Sequence, residues 1–202
     1  MDNTSLKEQT ALLLTLKTPE LSDETCGQYL EELKSLCTTL GIIPLEQKII
    51  TVKSLHPRYL VGSGKASEIS SLAEDLDADC IIFDDTISPS QQRNLEQLSG
   101  RCVIDRQEII LEIFSEHART REALLQVGLA RMEYSLPRLT RAWTHLSRQR
   151  GGMRGTRGEG ETQLEVDRRI VLKKITKLKA ELKKLEEQRH TRRKQRMGVP
   201  VP

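Results

Sequence analysis

Cys80-Ile81-Ile82-Phe83-Asp84-Asp85 and, later in the chain, Cys102-Val103-Ile104-Asp105 are short apolar runs closed by aspartate. Between them Ser88-Pro89-Ser90-Gln91 leads into Gln92-Arg93-Asn94-Leu95. Three or four apolar residues bounded by polar ones are too few for a helix and fit a buried strand. Ser88 is a natural N-cap, Pro89 suits the first helical position, and Gln91 completes a capping box. The segment therefore reads strand–helix–strand, with strands at 80–83 and 102–104 and a helix over 89–98. The same alternation continues on both sides. Upstream lie a strand at 10–16, a helix at 23–40 closed by Gly41, strands at 48–52 and 59–61, and a helix at 65–76. Downstream, Asp105 and Glu108 stand in a capping-box-like spacing before a helix at 108–116. Strands separated by helices of about ten residues argue for a small, mostly parallel sheet flanked by helices, an α/β fold.

The second half changes period. Leu125, Leu129, Met132, Leu136, Leu139, Trp143 and Leu146 form an unbroken a/d seam, and Val171, Ile175, Leu178, Leu182 and Leu185 form another, with Leu164 one heptad before it. Two amphipathic helices joined by one polar loop are expected to fold into an antiparallel, coiled-coil-like arm. A helix over 118–146 would be roughly 40 Å long at about 1.5 Å per residue. Pro137 lies inside it, and the continuing seam predicts a kink there, not a break. Thr162-Gln163-Leu164-Glu165 is a capping box that places the start of the second helix near 163. The expected division is an α/β subdomain over 1–117, a helical hairpin over 118–197 with its tip at 147–161, and a linker at 198–202.

Charge follows the same division. The whole chain carries a formal +3, but residues 1–100 hold 8 Lys and Arg against 16 Asp and Glu, net −8, while residues 101–202 hold 24 against 13, net +11. Such asymmetry points to a nucleic-acid or membrane partner for the basic half. Aromatic content of 3% leaves the core to Leu, Ile, Val and Ala. No apolar run reaches the roughly 18–20 residues of a membrane span, and the N-terminus is a poor signal peptide, so stable membrane insertion is not expected and a cytoplasmic location is. Cys26, Cys37, Cys80 and Cys102 form no C-x-x-C pair and read as buried reduced thiols. His56, His117, His145 and His190 have no ligand spacing, so no metal site is expected.

Three features bear on function. Gly62-Ser63-Gly64-Lys65 opens a helix after a short strand, where backbone amides can approach a phosphate. It is not a Walker A motif: Tyr59 occupies the position of the leading Gly, and Ala66 that of the magnesium-holding Ser/Thr. It reads either as a nucleotide site or as a tight turn. Asp84 and Asp85 would share the carboxyl edge of a parallel sheet with Asp105, and could hold magnesium or serve as loop and cap residues. The third feature is the segment 147–160, with five glycines and four arginines among fourteen residues. Glycine lets the backbone follow another surface closely, while Arg148, Arg150, Arg154 and Arg157 bind phosphates as planar forks and stack on bases. Gly151, Gly152, Gly155 and Gly158 lie between them. Arg138 and Arg141 below the tip, Arg168 and Arg169 on the second helix, and the tail from Arg189 to Arg196 extend the charge. RNA is the partner this pattern fits.

Several of these runs resemble the N-terminal region of the HflX family of ribosome-associated GTPases. The shared residues are Gly62-Ser63-Gly64-Lys65, Asp84-Asp85, Ser88-Pro89-Ser90-Gln91, Asn94-Leu95-Glu96, Asp105-Arg106 and Ile109-Ile110-Leu111-Glu112-Ile113-Phe114. On the arm they are Leu136-Pro137-Arg138-Leu139-Thr140-Arg141, Trp143, His145-Leu146-Ser147-Arg148-Gln149, Gly151-Gly152, Gly160-Glu161-Thr162-Gln163-Leu164-Glu165 and Asp167-Arg168-Arg169. The likeness covers about residue 42 to the end and is most specific from the tip into the second helix. Glu159, Gln107 and Gly128 depart from the family's usual Pro, Thr and Glu. The resemblance implies GTP- and magnesium-dependent binding to the large ribosomal subunit, an arm tip that touches rRNA near the peptidyl-transferase centre, and splitting of stalled ribosomes. It also implies a GTPase domain in cis, beginning just after Val199-Pro200-Val201-Pro202. No G-x-x-x-x-G-K-[ST] occurs in the 202 residues, so this chain alone is expected to hold no cofactor and not to hydrolyse GTP. Two other readings stand beside it. One is an α/β module binding ATP at Gly62, Gly64 and Lys65 with Asp84 or Asp85 on magnesium. The other is a coiled-coil adaptor for a protein partner.

Overall fold

The computed structural model describes residues 9–139 and 160–197, with the side chains of 160–164, 191–193 and 195–197 outside the description. The chain divides into two compact units, Met1–Ile113 and Phe114–Pro202.

The first unit is built on β1 (Thr10–Lys17), α1 (Asp23–Thr39), β2 (Ile43–Thr51), α2 (Ser63–Asp75), β3 (Cys80–Phe83), α3 (Pro89–Ser99), β4 (Cys102–Asp105) and the start of α4 (Arg106–His117). The four strands form one parallel sheet in the order β2-β1-β3-β4. β1 is central and apolar on both faces, as a strand covered by helices on both sides must be. Leu12, Leu14 and Leu16 join Ile81, Phe83 and Val103 against Ala66, Ile69 and Ala73 of α2 and Leu95 of α3. Ala11 and Leu13 join Ile82 and Ile104 against Leu30, Leu33 and Cys37 of α1 and Ile109 of α4.

Local chemistry sets the helix limits. Ser22 caps α1 by accepting from the Thr25 amide at 3.1 Å, and the chain leaves α1 through Gly41 at φ +73°, a conformation side chains resist. The capping box of α3 is formed, with both Ser88 and Gln91 side chains engaged. Asp105 is buried, and its carboxylate accepts from the amides of Glu108 and Ile87, each at 3.1 Å. The expected cap at Asp105 is thus present, and it also ties the loop after β3 to the end of β4.

Two strand expectations change. β2 starts at Ile43 instead of 48, because β1 offers it a partner from Thr10 onward; a bulge near Leu45 accommodates Pro44. Residues 59–61 do not form a strand of the sheet. Tyr59 pairs with Val61 and His56 with Leu60 in isolated bridges that fold the loop on itself. All four cysteines are free thiols, buried except Cys102, which is half-buried. Burial pushes the Cys37 and Cys102 thiols up to about 12, and raises Cys26 and Cys80 as well.

The second unit contains α5 (Arg121–Ser135), a 3-10 turn (Leu136–Arg138) and α6 (Gly160–Met197). Thr120 caps α5 by accepting from the Ala123 amide, so this helix starts anew after α4 and does not run from 118. The α-helix stops at Ser135. Pro137 has no N–H to donate, and its ring opposes the carbonyl four residues back, so the chain tightens into the 3-10 turn. The predicted kink is therefore an end to the α-helix, and residues 140–146 of the predicted helix lie outside the described residues. α6 begins at Gly160, which places Thr162 already inside it. Gly128 is the weak point of α5. A Cβ added there would meet only Leu178 Cδ1, at 3.9 Å, an ordinary van der Waals approach. Gly128→Ala is expected to stabilise the chain by about 1 kcal/mol; a melting temperature at or below that of the parent chain would contradict this.

Candidate nucleic-acid interface

α6 is 38 residues long, about 57 Å at 1.5 Å per residue, and holds 13 Lys and Arg against 6 Asp and Glu. Leu, Lys and Glu are strong helix formers, and no proline interrupts them. One stripe is covered: Ile175 is buried and Val171, Leu178, Leu182 and Leu185 are half-buried, matching the predicted seam. Half-buried Leu125, Leu129, Met132, Leu136 and Leu139 form the facing seam, while Trp143 and Leu146 lie outside the described residues. Two ion pairs give the sense of the packing. Glu133 meets Lys179 at 2.7 Å, and Glu122, eleven residues earlier, meets Arg189 at 2.5 Å, ten residues later. The two helices run in opposite directions over this stretch.

Away from the stripe the cations whose side chains are described are exposed. Among the described residues none of Arg168, Arg169, Lys173, Lys174, Lys177, Lys183 or Lys184 stands in an ion pair. A long helix with its seam covered and seven unpaired cations among the described residues suits a polyanion; Val166, Ile170 and Leu172 are the exposed large apolar side chains beside those cations. Arg138 behaves differently. It is only 8% exposed, its guanidinium lies 3.6 Å from the centre of the Tyr134 ring, and it donates to the Tyr134 carbonyl at 3.1 Å. Periodicity could not reveal this, because the 3-10 turn at Pro137 swings Arg138 inward. Arg141, Arg148, Arg150, Gly151, Gly152, Arg154, Gly155, Arg157 and Gly158 lie outside the described residues.

The candidate nucleotide residues sit on the carboxyl edge of the sheet in the first unit. Gly62 is the N-cap of α2 with no side-chain bond of its own, and a Cβ at Gly62 or Gly64 would meet nothing within 4 Å. Neither glycine is demanded by crowding. Lys65 Nζ donates to the Thr51 carbonyl. Asp84 and Asp85 follow β3 beside β1, at the point where strand order reverses and where sheets of this kind hold ligands. Each has a partner within the fold: Asp84 meets Arg106 at 3.0 Å, with Arg106 also bonded to Glu32, and Asp85 accepts from the Leu16 amide at 3.2 Å. Gly62–Lys65 follows β2 on the far side of β1, and neither aspartate is bonded to Lys65. Arg106, which residue spacing did not single out as a site residue, is the hub of this edge; its sequence signal was the Asp105-Arg106 pair itself.

Two family models cover most of the chain. One, described as GTP-binding GTPase N-terminal, matches residues 27–115, and the other, GTP-binding GTPase Middle Region, matches 117–196. A protein named GTPase HflX from Akkermansia muciniphila is 51% identical over 174 residues, covering 83% of this chain and 40% of its own length. The chain belongs to the HflX family. The Escherichia coli K12 protein GTPase HflX is 44% identical over 173 residues, covering 86% of this chain and 40% of its own length. This HflX-family chain thus spans about two fifths of the length of the curated relatives it matches. A crystal structure of a GTP-binding protein from Sulfolobus solfataricus in complex with GDP superposes with a TM-score of 0.58 at 22% identity, over 88% of this chain and 46% of that one, a likeness of fold. Among the described residues no helix is long and apolar enough to cross a membrane.

Burial raises both carboxyls of the Asp84–Asp85 pair, with Arg106 opposing the shift at Asp84 and the Leu16 amide opposing it at Asp85. A carboxyl whose folded-state value lies above its unfolded one favours folding at low pH, and that contribution is lost as the pH rises through the raised value. Asp85→Asn keeps an acceptor for Leu16 and removes the buried charge. It is expected to melt higher than the parent at pH 7 and equally near pH 3; a lower melting temperature at pH 7 would show that the carboxylate's hydrogen bond outweighs its desolvation.

Proposed function

We propose that this chain is the RNA- and ribosome-binding module of an HflX-type GTP-binding protein, acting on the large ribosomal subunit in the cytoplasm. In this reading α5 and α6 are the base of an antiparallel two-helix arm whose Arg/Gly tip, residues 147–161, contacts rRNA. Arg148, Arg150, Arg154 and Arg157 are the primary contacts, Gly151, Gly152, Gly155 and Gly158 let the backbone approach, and Arg141, Arg168 and Arg169 flank them. Arg138, held against Tyr134, supports the arm from inside and reaches RNA only by leaving that ring. A GTPase domain in cis would supply GTP binding with magnesium, and the joined protein would split stalled ribosomes. The observation that carries the reading is the 38-residue α6: seven of its exposed cations, from Arg168 to Lys184, have no carboxylate partner among the described residues, while its seam is covered.

The tip arginines are the place to test it. Arg148→Ala, Arg150→Ala, Arg154→Ala and Arg157→Ala together are expected to weaken binding to purified large subunits by several kcal/mol, at about 1.5–3 kcal/mol for each charge-assisted hydrogen bond. The slope of log affinity against log salt should fall by roughly 0.7 for each phosphate no longer bound. Co-sedimentation across a salt series measures both. Unchanged affinity and slope in a variant that melts like the parent would remove RNA binding by the tip.

A further inference from the structure

The first unit is acidic, yet its cations are unevenly matched. Among the nine Lys and Arg of its described residues, four meet carboxylates: Lys17 with Asp23, Lys34 with Glu31, Arg101 with Asp77, and Arg106 with Glu32 and Asp84. Lys48, Lys53, Arg58, Lys65 and Arg93 have no ion pair among the described residues. Four of these five fall in residues 47–67, twenty-one residues without one Asp or Glu.

Folding brings α3, which carries the fifth, against the loop that holds Lys53 and Arg58. The loop after β2 closes through two backbone bonds between His56 and Leu60, at 2.8 and 2.9 Å. Side chains at the start of α3 then clamp it. Gln91 Nε2 donates to the His56 carbonyl at 2.9 Å, and Asn94 Nδ2 to the Arg58 carbonyl at 2.8 Å. Arg93 adjoins that clamp and is exposed, as are Lys48, Lys53 and Arg58. The Arg58 guanidinium lies over the half-buried Tyr59 ring, 4.9 Å from its centre.

We propose that this edge of the first unit is a second RNA-binding surface, separate from the arm, with Lys53, Arg58 and Arg93 on phosphates and the Arg58–Tyr59 pair against a nucleoside. Cations without internal partners hold counterions that a polyanion releases, the main source of affinity for nucleic acid. A loop clamped at two carbonyls has little ordering entropy left to lose on binding. A guanidinium stacked on a ring keeps its N–H edge free for phosphate and offers a plane on which a base can stack. An anionic membrane would need a broad apolar face as well, and Leu55 is the loop's one exposed large apolar side chain among the described residues.

The full 202-residue chain tests this by fluorescence anisotropy with a labelled RNA stem–loop, across a salt series. Lys53→Ala, Arg58→Ala and Arg93→Ala together are expected to weaken binding about ten-fold and to reduce the salt slope by about two, both in the parent chain and in the variant lacking the four tip arginines. A control, Lys34→Ala with Arg101→Ala, removes charge outside the patch and is expected to do far less. Unchanged affinity and slope in the triple variant would overturn the proposal, as would an equal effect per charge in the control. It would also be overturned if the triple variant stopped binding phosphatidylserine vesicles while keeping RNA binding. Because the tip variant is measured beside it, failure of the tip and failure of this patch are read separately.

Discussion

Burial of β1 is the constraint on which the first unit depends. This strand has hydrogen-bonded neighbours on both sides and leucine or alanine on both faces, so it is stable only when β2, β3 and helices on each side are all in place. With β1 in the middle, β3 must start a new direction of strand order, and the loops after β1 and β3 part at that point. Asp84 and Asp85 stand there, and Arg106 and the Leu16 amide hold them. The geometry that makes this edge a natural ligand crevice in such sheets is here closed by its own ion pairs. Any anion or nucleotide placed beside Asp84 would compete with Glu32 and Asp84 for Arg106.

The second unit solves a different problem. A helix with more than twice as many cations as anions repels itself, and α6 persists because one stripe is covered by α5 and because Glu122 and Glu133 neutralise two of its cations. The exposed cations named above have no such partner among the described residues. The same imbalance recurs on a smaller scale around the loop after β2, where the backbone is clamped by neutral Gln91 and Asn94 instead of by acids. In both units, then, regular elements and a clamped loop present cations that meet no carboxylate among the described residues.

Much of this was legible from residues alone. The strand–helix–strand reading of 80–104 rests on run length and on the capping box at Ser88, both local properties, and the structure forms each. The two seams are likewise local, and the covered stripe of α6 follows the predicted positions. Where structure and expectation part, the reasons are not local. β2 gained its first five residues from pairing with β1, and residues 59–61 form no strand of the sheet because the loop bonds to itself. Pro137 ended the α-helix that the apolar seam continues through, and that turn took Arg138 out of solvent.

The sequence by itself determined the fold class, the change of period between the halves and the excess of charge in the second, because periodicity, caps and net charge need only near neighbours or none. Tertiary structure decided which strand is central, which arginine is buried, and which cations find a carboxylate. An ion pair depends on the last few ångströms between residues far apart in the chain. No spacing rule could show that Arg106 would be held by Glu32 and Asp84 while Arg58 and Arg93 would meet no acid among the described residues.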